Sequence, residues 1–209
     1  AKFLPTLITA DKSQVLSALK IIESHRGKEG SDEAEILGVH LEGPFISTKR
    51  RGVHPEKFIR QPSIENIKEM LQTGAVKLVT LAPEVDGAEE LIKFLVDQKI
   101  VVSIGHTDTS FEAADMAMSL GARSVTHLFN AMSKEKNSPV IQALDKHPEV
   151  FVQIIVDKVH VSEELIKFAF DKYEPRIILT NDPIAAAGFG DGAFPFGDMI
   201  IEVKNGVAR

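Results

Sequence analysis

Two histidines and one glutamate have the side chains and the spacing to bind a divalent metal ion. Glu42 directly follows the apolar run that ends at Leu41, and His106 follows another such run; His127 comes one strand–helix unit after His106. Imidazole nitrogens and carboxylate oxygens bind Zn²⁺ at about 2 Å, and three protein ligands leave one coordination position open for water. The alternative is that each histidine is an ordinary core or loop residue.

Asp182 is the candidate for proton transfer. It follows the last apolar run and precedes Pro183. A carboxylate beside a metal-bound water can accept the proton of that water and later return it to a leaving amine. The alternative is an aspartate in a simple turn before the proline.

Other polar residues occupy less definite positions. His54 and His160 lie in predicted loops, where each either donates a hydrogen bond to a substrate oxygen or is a solvated loop residue. Asn130 closely follows the second candidate histidine and is a possible substrate contact. His40 is interpreted as a packing residue, and Glu84 receives no definite role.

Short apolar, β-branched runs alternate with amphipathic patterns along the chain. The predicted strands are Phe3–Thr9, Ile36–Leu41, Val76–Leu81, Ile100–Ile104, Ser124–His127, Val150–Val156 and Ile177–Thr180. The predicted helices are Ser13–Ser24, Ser63–Gln72, Ala88–Asp97, Ser110–Leu120, Val140–Lys146 and Ser162–Asp171. This alternation indicates an α/β protein with a parallel sheet that is covered on its faces. Since no Gly/Ser/Pro-rich linker divides the chain, we expect residues 1–209 to form one domain.

The position of the polar residues favours a (β/α)8 TIM barrel over a doubly wound sheet. Almost every predicted strand delivers a titratable side chain at its C-terminal end, and in a barrel those ends surround one pocket. In an open sheet they would be spread along an edge. No glycine-rich phosphate turn follows the first strands, and the late Gly188–Gly192 stretch is interpreted as a loop. The seven predicted strands would form most, but not all, of an eight-stranded barrel.

Composition excludes several other classes of protein. The chain has 209 residues, of which 44% are hydrophobic and 26% charged, as expected of a globular protein. Its net charge of −6 offers no general attraction for nucleic acid or an anionic membrane, so neither is an expected partner. The chain has no cysteine, which agrees with a cytoplasmic location. No apolar run reaches the roughly 18 residues of a membrane span.

Six segments match, in order, the motifs of one known family. They are Leu4–Thr9, Leu37–Phe45, Leu81–Glu84, Gly105–Thr107, Thr126–Met132 and Ala185–Gly192. On these residues the chain resembles the N-acetylglucosamine-6-phosphate deacetylase family of the amidohydrolase superfamily. The resemblance implies a metal-dependent (β/α)8 barrel, usually dimeric, that hydrolyses the acetamide of N-acetylglucosamine 6-phosphate to acetate and glucosamine 6-phosphate.

The resemblance also implies a role for each candidate residue. Glu42, His106 and His127 match the metal ligands, and Asp182 matches the catalytic acid/base. His54 matches the residue that helps to polarise the substrate carbonyl. Asn130 and Ala131 match positions that contact the substrate, and His160 matches a histidine on the phosphate side. The implied cofactor is one divalent metal ion, Zn²⁺ first, with Fe²⁺, Co²⁺, Mn²⁺ and Ni²⁺ as alternatives. The implied partners are a small amino-sugar phosphate and, in a homodimer, a second copy of the protein.

Two segments depart from the family's pattern. The usual Arg-Glu-Pro-Gly reads Asn137–Val140, which removes the guanidinium that grips the sugar phosphate, unless Lys134 or Lys136 replaces it. The usual Ala-Asp-Gly reads Val156–Lys158. These departures leave two alternatives: a related amidohydrolase that acts on an unphosphorylated N-acetyl sugar or another amide, and a non-catalytic barrel that binds a sugar phosphate. Retention of the acid/base residue argues against the second.

The family's upstream His-x-His segment and the downstream end of its barrel have no counterpart in the chain. The resemblance therefore implies the central part of a single TIM-barrel catalytic domain, truncated at both ends, with the flanking β-sandwich largely absent. An incomplete barrel leaves unpaired strand edges. We accordingly expect the activity of the longer protein rather than of these residues alone.

Overall fold

A computed structural model describes residues 1–181, 184, 186–196 and 199–208. The helices of this part are α1 (Lys12–His25), α2 (Ile64–Leu71), α3 (Ala88–Asp97), α4 (Phe111–Ser119), α5 (Pro139–Lys146) and α6 (Glu163–Tyr173). The strands are β1 (Lys2–Phe3), β2 (Thr6–Ile8), β3 (Glu35–Ile36), β4 (Val39–Glu42), β5 (Val76–Leu81), β6 (Val101–Ile104), β7 (Ser124–Val125), β8 (Phe151–Ile155), β9 (Ile177–Thr180), β10 (Gly192–Phe196), β11 (Met199–Lys204) and β12 (Val207–Ala208).

Seven strands form one parallel sheet in the order β2-β4-β5-β6-β7-β8-β9. The order never reverses, so the sheet lacks the switch point at which a doubly wound fold binds its ligands. Instead the sheet curls into a half-barrel. The fold is therefore α/β of the barrel type, and β2 and β9 are the sheet's two edges within the described residues.

Two of the predicted strands are each divided in the structure. The predicted strand Phe3–Thr9 becomes β1 and β2 on either side of Pro5, which has no N–H to donate to a neighbouring strand. The predicted strand Ile36–Leu41 becomes β3 and β4 around Gly38, where a Cβ atom would lie only 2.7 Å from the carbonyl oxygen of Ala75. As a result β1 and β3 form a separate two-stranded sheet.

The helices pack their apolar faces on the sheet. In α3, Leu91, Ile92 and Leu95 are completely buried, whereas Glu89 and Lys93 pair on the exposed face. Four helices begin at a residue whose side chain accepts a backbone N–H of the first turn, and these residues are Asp11, Ser63, Ser110 and Ser162. None of the helices in the described part has the length and apolar character needed to cross a membrane.

The last part of the chain forms an antiparallel sheet of β10, β11 and β12. The stretch Gly188–Gly192, predicted as a loop, forms turns and reaches β10 at Gly192, the first residue of that strand. This small sheet is separate from the parallel sheet that carries the candidate site.

Candidate metal centre

Glu42, His106 and His127 converge at the C-terminal ends of β4, β6 and β7. The Nε2 atom of His106 lies 3.0 Å from Oε1 of Glu42, and the Nε2 atom of His127 lies 2.8 Å from the same oxygen. The two Nε2 atoms are 3.2 Å apart, and all three side chains are buried. Among the described residues, these three form the one group of potential ligands close enough to share a metal ion.

Both histidines adopt a left-handed backbone conformation as they leave their strands. The φ angle is 48° at His106 and 33° at His127. This conformation costs an ordinary residue about 1–2 kcal/mol, so the surrounding structure must hold it in place. The turn also explains why β7 ends at Val125, two residues before the end of the predicted strand Ser124–His127.

The ring of His106 is oriented by the loop after β4. Its Nδ1 atom lies 2.9 Å from the carbonyl oxygen of Arg50. A carbonyl only accepts hydrogen bonds, so Nδ1 donates, and in the neutral ring Nε2 keeps its lone pair. The backbone carbonyl of His106 accepts the N–H of Ser47 at 2.9 Å. The hydrogen bond from Nδ1 to a backbone carbonyl is the usual way in which a protein orients a histidine whose Nε2 atom binds a metal.

The donor set fits a divalent cation. Burial raises the pKa of Glu42, but hydrogen bonds with His106 and His127 outweigh it and hold the pKa well below its ordinary value. The carboxylate is therefore ionised. Three electron-rich atoms within about 3 Å of one another repel unless a proton or a cation lies between them. One carboxylate and two imidazoles are typical ligands of zinc and related metal ions.

His54 lies beside this group rather than in solvent. Its side chain is only 1% exposed, and the centroid of its ring is 4.4 Å from that of His106. The Nδ1 atom accepts the backbone N–H of Thr9 at 3.3 Å and contacts the Thr9 hydroxyl at 2.8 Å. Burial, followed by the charge of His106, lowers the pKa of His54 to about 3. The ring is therefore neutral, with its proton on Nε2.

Gly43 allows this arrangement. It directly follows Glu42 and has a φ angle of 85°, which favours glycine. A Cβ atom at this position would lie 2.2 Å from the hydroxyl oxygen of Thr9. Because Thr9 also holds the ring of His54, a side chain at position 43 would disturb both the backbone next to Glu42 and the contact that places His54.

The predicted substrate contacts Asn130 and Ala131 lie in the loop that follows β7. The backbone N–H of Asn130 donates to the carbonyl of His127 at 2.8 Å, and the carbonyl of Ala131 accepts the N–H of Thr107 at 3.2 Å. This loop therefore joins the turns that carry the two candidate histidine ligands. Both residues are half-buried.

His160 is placed differently from the other candidates. It lies in the loop between β8 and α6, and its Nδ1 atom is 2.6 Å from Oδ2 of Asp157. Its side chain is 46% exposed. The carbonyl of His160 accepts a hydrogen bond from Nζ of Lys134 at 3.0 Å. Asp182, the predicted acid/base residue, lies outside the described residues.

A row of polar side chains, buried from His40 onwards, crosses the sheet next to the metal group, and it was not predicted from the sequence. His40 contacts the hydroxyl of Thr6 through Nδ1 at 3.1 Å and that of Thr80 through Nε2 at 2.7 Å. From Thr80 the row continues to Thr126 at 2.7 Å and from there to Ser103 at 2.6 Å. His40 is thus a hydrogen-bonded residue, not simply a packing residue. A histidine and hydroxyls within otherwise apolar strands were the available signal.

A curled parallel sheet with a buried Glu/His/His group at the ends of its strands defines a class of barrel-type α/β proteins with a candidate metal site. Comparison with known proteins agrees. The chain is 38% identical to the N-acetylglucosamine-6-phosphate deacetylase of Bacillus subtilis over 99% of its own length and 54% of the relative's. It is 36% identical to the deacetylase of Mus musculus over 99% of the chain and 53% of the relative. No protein-family model matches.

Solved structures give the same result. The N-acetyl-D-glucosamine-6-phosphate deacetylase of Mycobacterium smegmatis, a mutant in complex with N-acetyl-D-glucosamine 6-phosphate, superposes with a TM-score of 0.89 at 35% identity, covering 99% of this chain and 54% of that one. The N-acetylglucosamine-6-phosphate deacetylase of Thermotoga maritima superposes with a TM-score of 0.89 at 32% identity, covering 100% of this chain and 57% of that one. The predicted resemblance is confirmed: the chain is a relative of the N-acetylglucosamine-6-phosphate deacetylases. It spans about half the length of the curated relatives it matches.

Proposed function

We propose that the protein hydrolyses the acetamide of N-acetylglucosamine 6-phosphate to glucosamine 6-phosphate and acetate, as a step of amino-sugar catabolism. The observation that carries this proposal is the convergence of two histidine nitrogens on one oxygen of the buried Glu42 carboxylate. The names of the relatives supply the substrate and the reaction. A protein that only bound a sugar would not need a general acid/base residue, the role that the proposal gives to Asp182.

Glu42, His106 and His127 would hold one divalent metal ion. Zn²⁺ is the first choice for this donor set, and Fe²⁺, Co²⁺, Mn²⁺ and Ni²⁺ are compatible with it. Such an ion supplies Lewis acidity, which polarises the amide carbonyl and makes water acidic enough to react near neutral pH.

Two further residues would handle the proton and the carbonyl. Asp182, which follows the last residue of β9 by two positions, is proposed to accept a proton from the attacking water and to deliver it to the departing amine. His54 is neutral and has its Nδ1 atom occupied by Thr9, so its Nε2–H is the group that would donate to the substrate carbonyl oxygen. In this role His54 donates a hydrogen bond and stays neutral throughout.

The sugar-phosphate end is assigned to the loops after β7 and β8. Asn130 and Ala131 are proposed to contact the substrate, with His160 on the phosphate side. The ammonium of Lys134 donates to the carbonyl of His160, and with three protons it can also bind a phosphate. Lys136 already pairs with Glu164, which makes Lys134 the better substitute for the missing family arginine.

The second candidate function is hydrolysis of an unphosphorylated N-acetyl sugar by the same metal site. It is favoured by Asn137, which stands where the family has its phosphate-binding arginine. A neutral amide cannot make the bidentate contact of a guanidinium with phosphate. The ratio of turnover with N-acetylglucosamine 6-phosphate to turnover with N-acetylglucosamine separates the two candidates.

The proposal includes the setting in which the protein works. We place residues 1–209 in the central part of a single TIM-barrel catalytic domain, in a protein that is a cytoplasmic homodimer. A phosphorylated sugar is charged and does not cross membranes freely, which agrees with this location. The net charge of −6 provides no general attraction for nucleic acid or for an anionic membrane.

The test is release of acetate from N-acetylglucosamine 6-phosphate by the longer protein in which we place residues 1–209, measured after chelation and again after addition of Zn²⁺. We expect acetate only with the metal, and a loss of about 10²-fold or more in Asp182→Asn. The matched control is Asp171→Asn, which changes an exposed aspartate of α6 that pairs with Lys167. Acetate release that does not depend on metal, or full activity of Asp182→Asn, would contradict the proposal.

A further inference from the structure

Glu84 binds the turn that carries His106. It lies in the loop after β5, and its Oε2 atom accepts the hydroxyl of Thr107 at 2.5 Å. Its Oε1 atom accepts the backbone N–H of Asp108 at 2.6 Å. Both oxygens of one carboxylate therefore bind the two residues that directly follow the candidate metal ligand. Glu84 itself is half-buried, and Thr107 is only 1% exposed.

The turn requires such support because of its backbone conformation. His106 has a φ angle of 48°, and this left-handed conformation costs about 1–2 kcal/mol. A turn of this kind relaxes towards an ordinary conformation unless neighbouring contacts hold it. Hydrogen bonds to an ionised carboxylate are roughly twice as strong as those between neutral groups. Glu84 places two of them immediately after the strained residue.

A second set of contacts connects the same turn to the ring of His106. The guanidinium of Arg50 donates to Oδ1 of Asp108 through Nε at 3.0 Å and through Nη2 at 2.8 Å. The backbone carbonyl of Arg50 in turn accepts the Nδ1–H of His106. Contacts therefore run from Glu84 to Asp108, to Arg50 and to the imidazole. They tie together the loops that follow β4, β5 and β6.

We propose that Glu84 is a positioning residue for the metal site. It acts through Thr107 and Asp108 to keep the Nε2 atom of His106 directed at Glu42. Because both of its oxygens are engaged by the turn, Glu84 supports a ligand and is not itself a ligand. This inference rests on the proposed function, since it concerns a ligand of the proposed metal. Loss of such a supporting group typically weakens metal binding by about 10–100-fold.

The experiment measures binding of Co²⁺ to the metal-free chain, by competition with a chelator and by the visible absorption of the bound ion. We expect Glu84→Ala to weaken binding by about 10-fold or more and to change the absorption spectrum. Glu84→Gln keeps an acceptor for the Asp108 N–H, so its affinity for Co²⁺ should fall by only about threefold. The matched control, Glu89→Ala, removes an exposed glutamate of α3 and should bind Co²⁺ like the wild type.

The readouts separate positioning from simple stabilisation of the loop. If folded Glu84→Ala has a lower melting temperature but the affinity and spectrum of the wild type, the proposal is overturned. If Glu84→Ala does not fold, the nearly isosteric Glu84→Gln decides, and an unchanged affinity overturns the proposal. A folded wild type that binds no Co²⁺ would overturn the metal site together with this inference, a failure that differs from the others because it involves no variant.

Discussion

The Nε2 atoms of His106 and His127 lie 3.2 Å apart because the two residues occupy equivalent positions just after the ends of neighbouring strands. Ile104 of β6 pairs with Val125 of β7, and each histidine follows its paired residue by two positions. Both then turn into the left-handed conformation. The same local structure on adjacent parallel strands thus brings both rings to the single carboxylate of Glu42.

The close approach of Gly43 to Thr9 gives the first prediction. Gly43→Ala combines a left-handed backbone with an overlap between Cβ and the Thr9 hydroxyl, and we expect it to lower the free energy of unfolding by about 3 kcal/mol or more. Gly27→Ala is the matched control, because Gly27 has a φ angle of 77° but open space where its Cβ would lie. It should lose only about 1 kcal/mol. Equal losses in urea unfolding would show that the contact with Thr9 is unimportant.

The buried hydroxyl row gives the second prediction. Thr80→Val keeps the shape of the side chain but leaves the Nε2 atom of His40 and the hydroxyl of Thr126 without this partner. We expect the free energy of unfolding to fall by about 1–3 kcal/mol. Thr48→Val, at an exposed position, should change it by no more than about 0.5 kcal/mol. If both variants unfold at the same denaturant concentration, the row contributes nothing to stability.

Tyr173 gives a prediction about alkaline pH. Burial and the nearby charge of Asp145 raise the pKa of Tyr173 above its ordinary value of 10.0. The unfolded chain therefore loses this proton at a lower pH than the folded chain does. Its contribution to stability is complete below pH 10 and decreases as the pH rises further.

The measurement is simple, because Tyr173 is the single tyrosine of the chain and there is no tryptophan. We expect the ultraviolet absorption of tyrosinate to appear together with unfolding at alkaline pH. Tyr173→Phe should remove this part of the pH dependence of the unfolding free energy. A tyrosinate signal that titrates near its ordinary pKa while the fold persists would contradict the burial of the hydroxyl.

Hydrophobic patterning predicted the regular elements well where a run was uninterrupted. The strands Val76–Leu81 and Ile177–Thr180 and the helix Ala88–Asp97 have the predicted bounds. Patterning failed where one residue determined the backbone, as Pro5 and Gly38 did in dividing two strands. Periodicity records which face of an element is buried, and it carries no information about such local interruptions.

The candidate ligands were visible in the sequence because each follows a strand, and the ends of parallel strands lie along one edge. Their roles, and that of Asp182, remain predictions. Glu84 was not visible as a positioning residue, because its partners Thr107 and Asp108 are 23 and 24 positions away. The hydroxyl row was missed for a similar reason: threonine in a strand is expected from its β-propensity alone. Such contacts become apparent only when the strands are assembled.

The amount of zinc retained by the purified chain tests the central claim most directly. The metal-free chain is equilibrated with Zn²⁺, separated from unbound metal by gel filtration and analysed by mass spectrometry for the metal. We predict one zinc ion per wild-type chain, none in His127→Ala, and an unchanged amount in His25→Ala, which alters an exposed histidine at the end of α1. A folded wild-type chain without zinc, or a His127→Ala variant that retains the wild-type amount, would contradict the account.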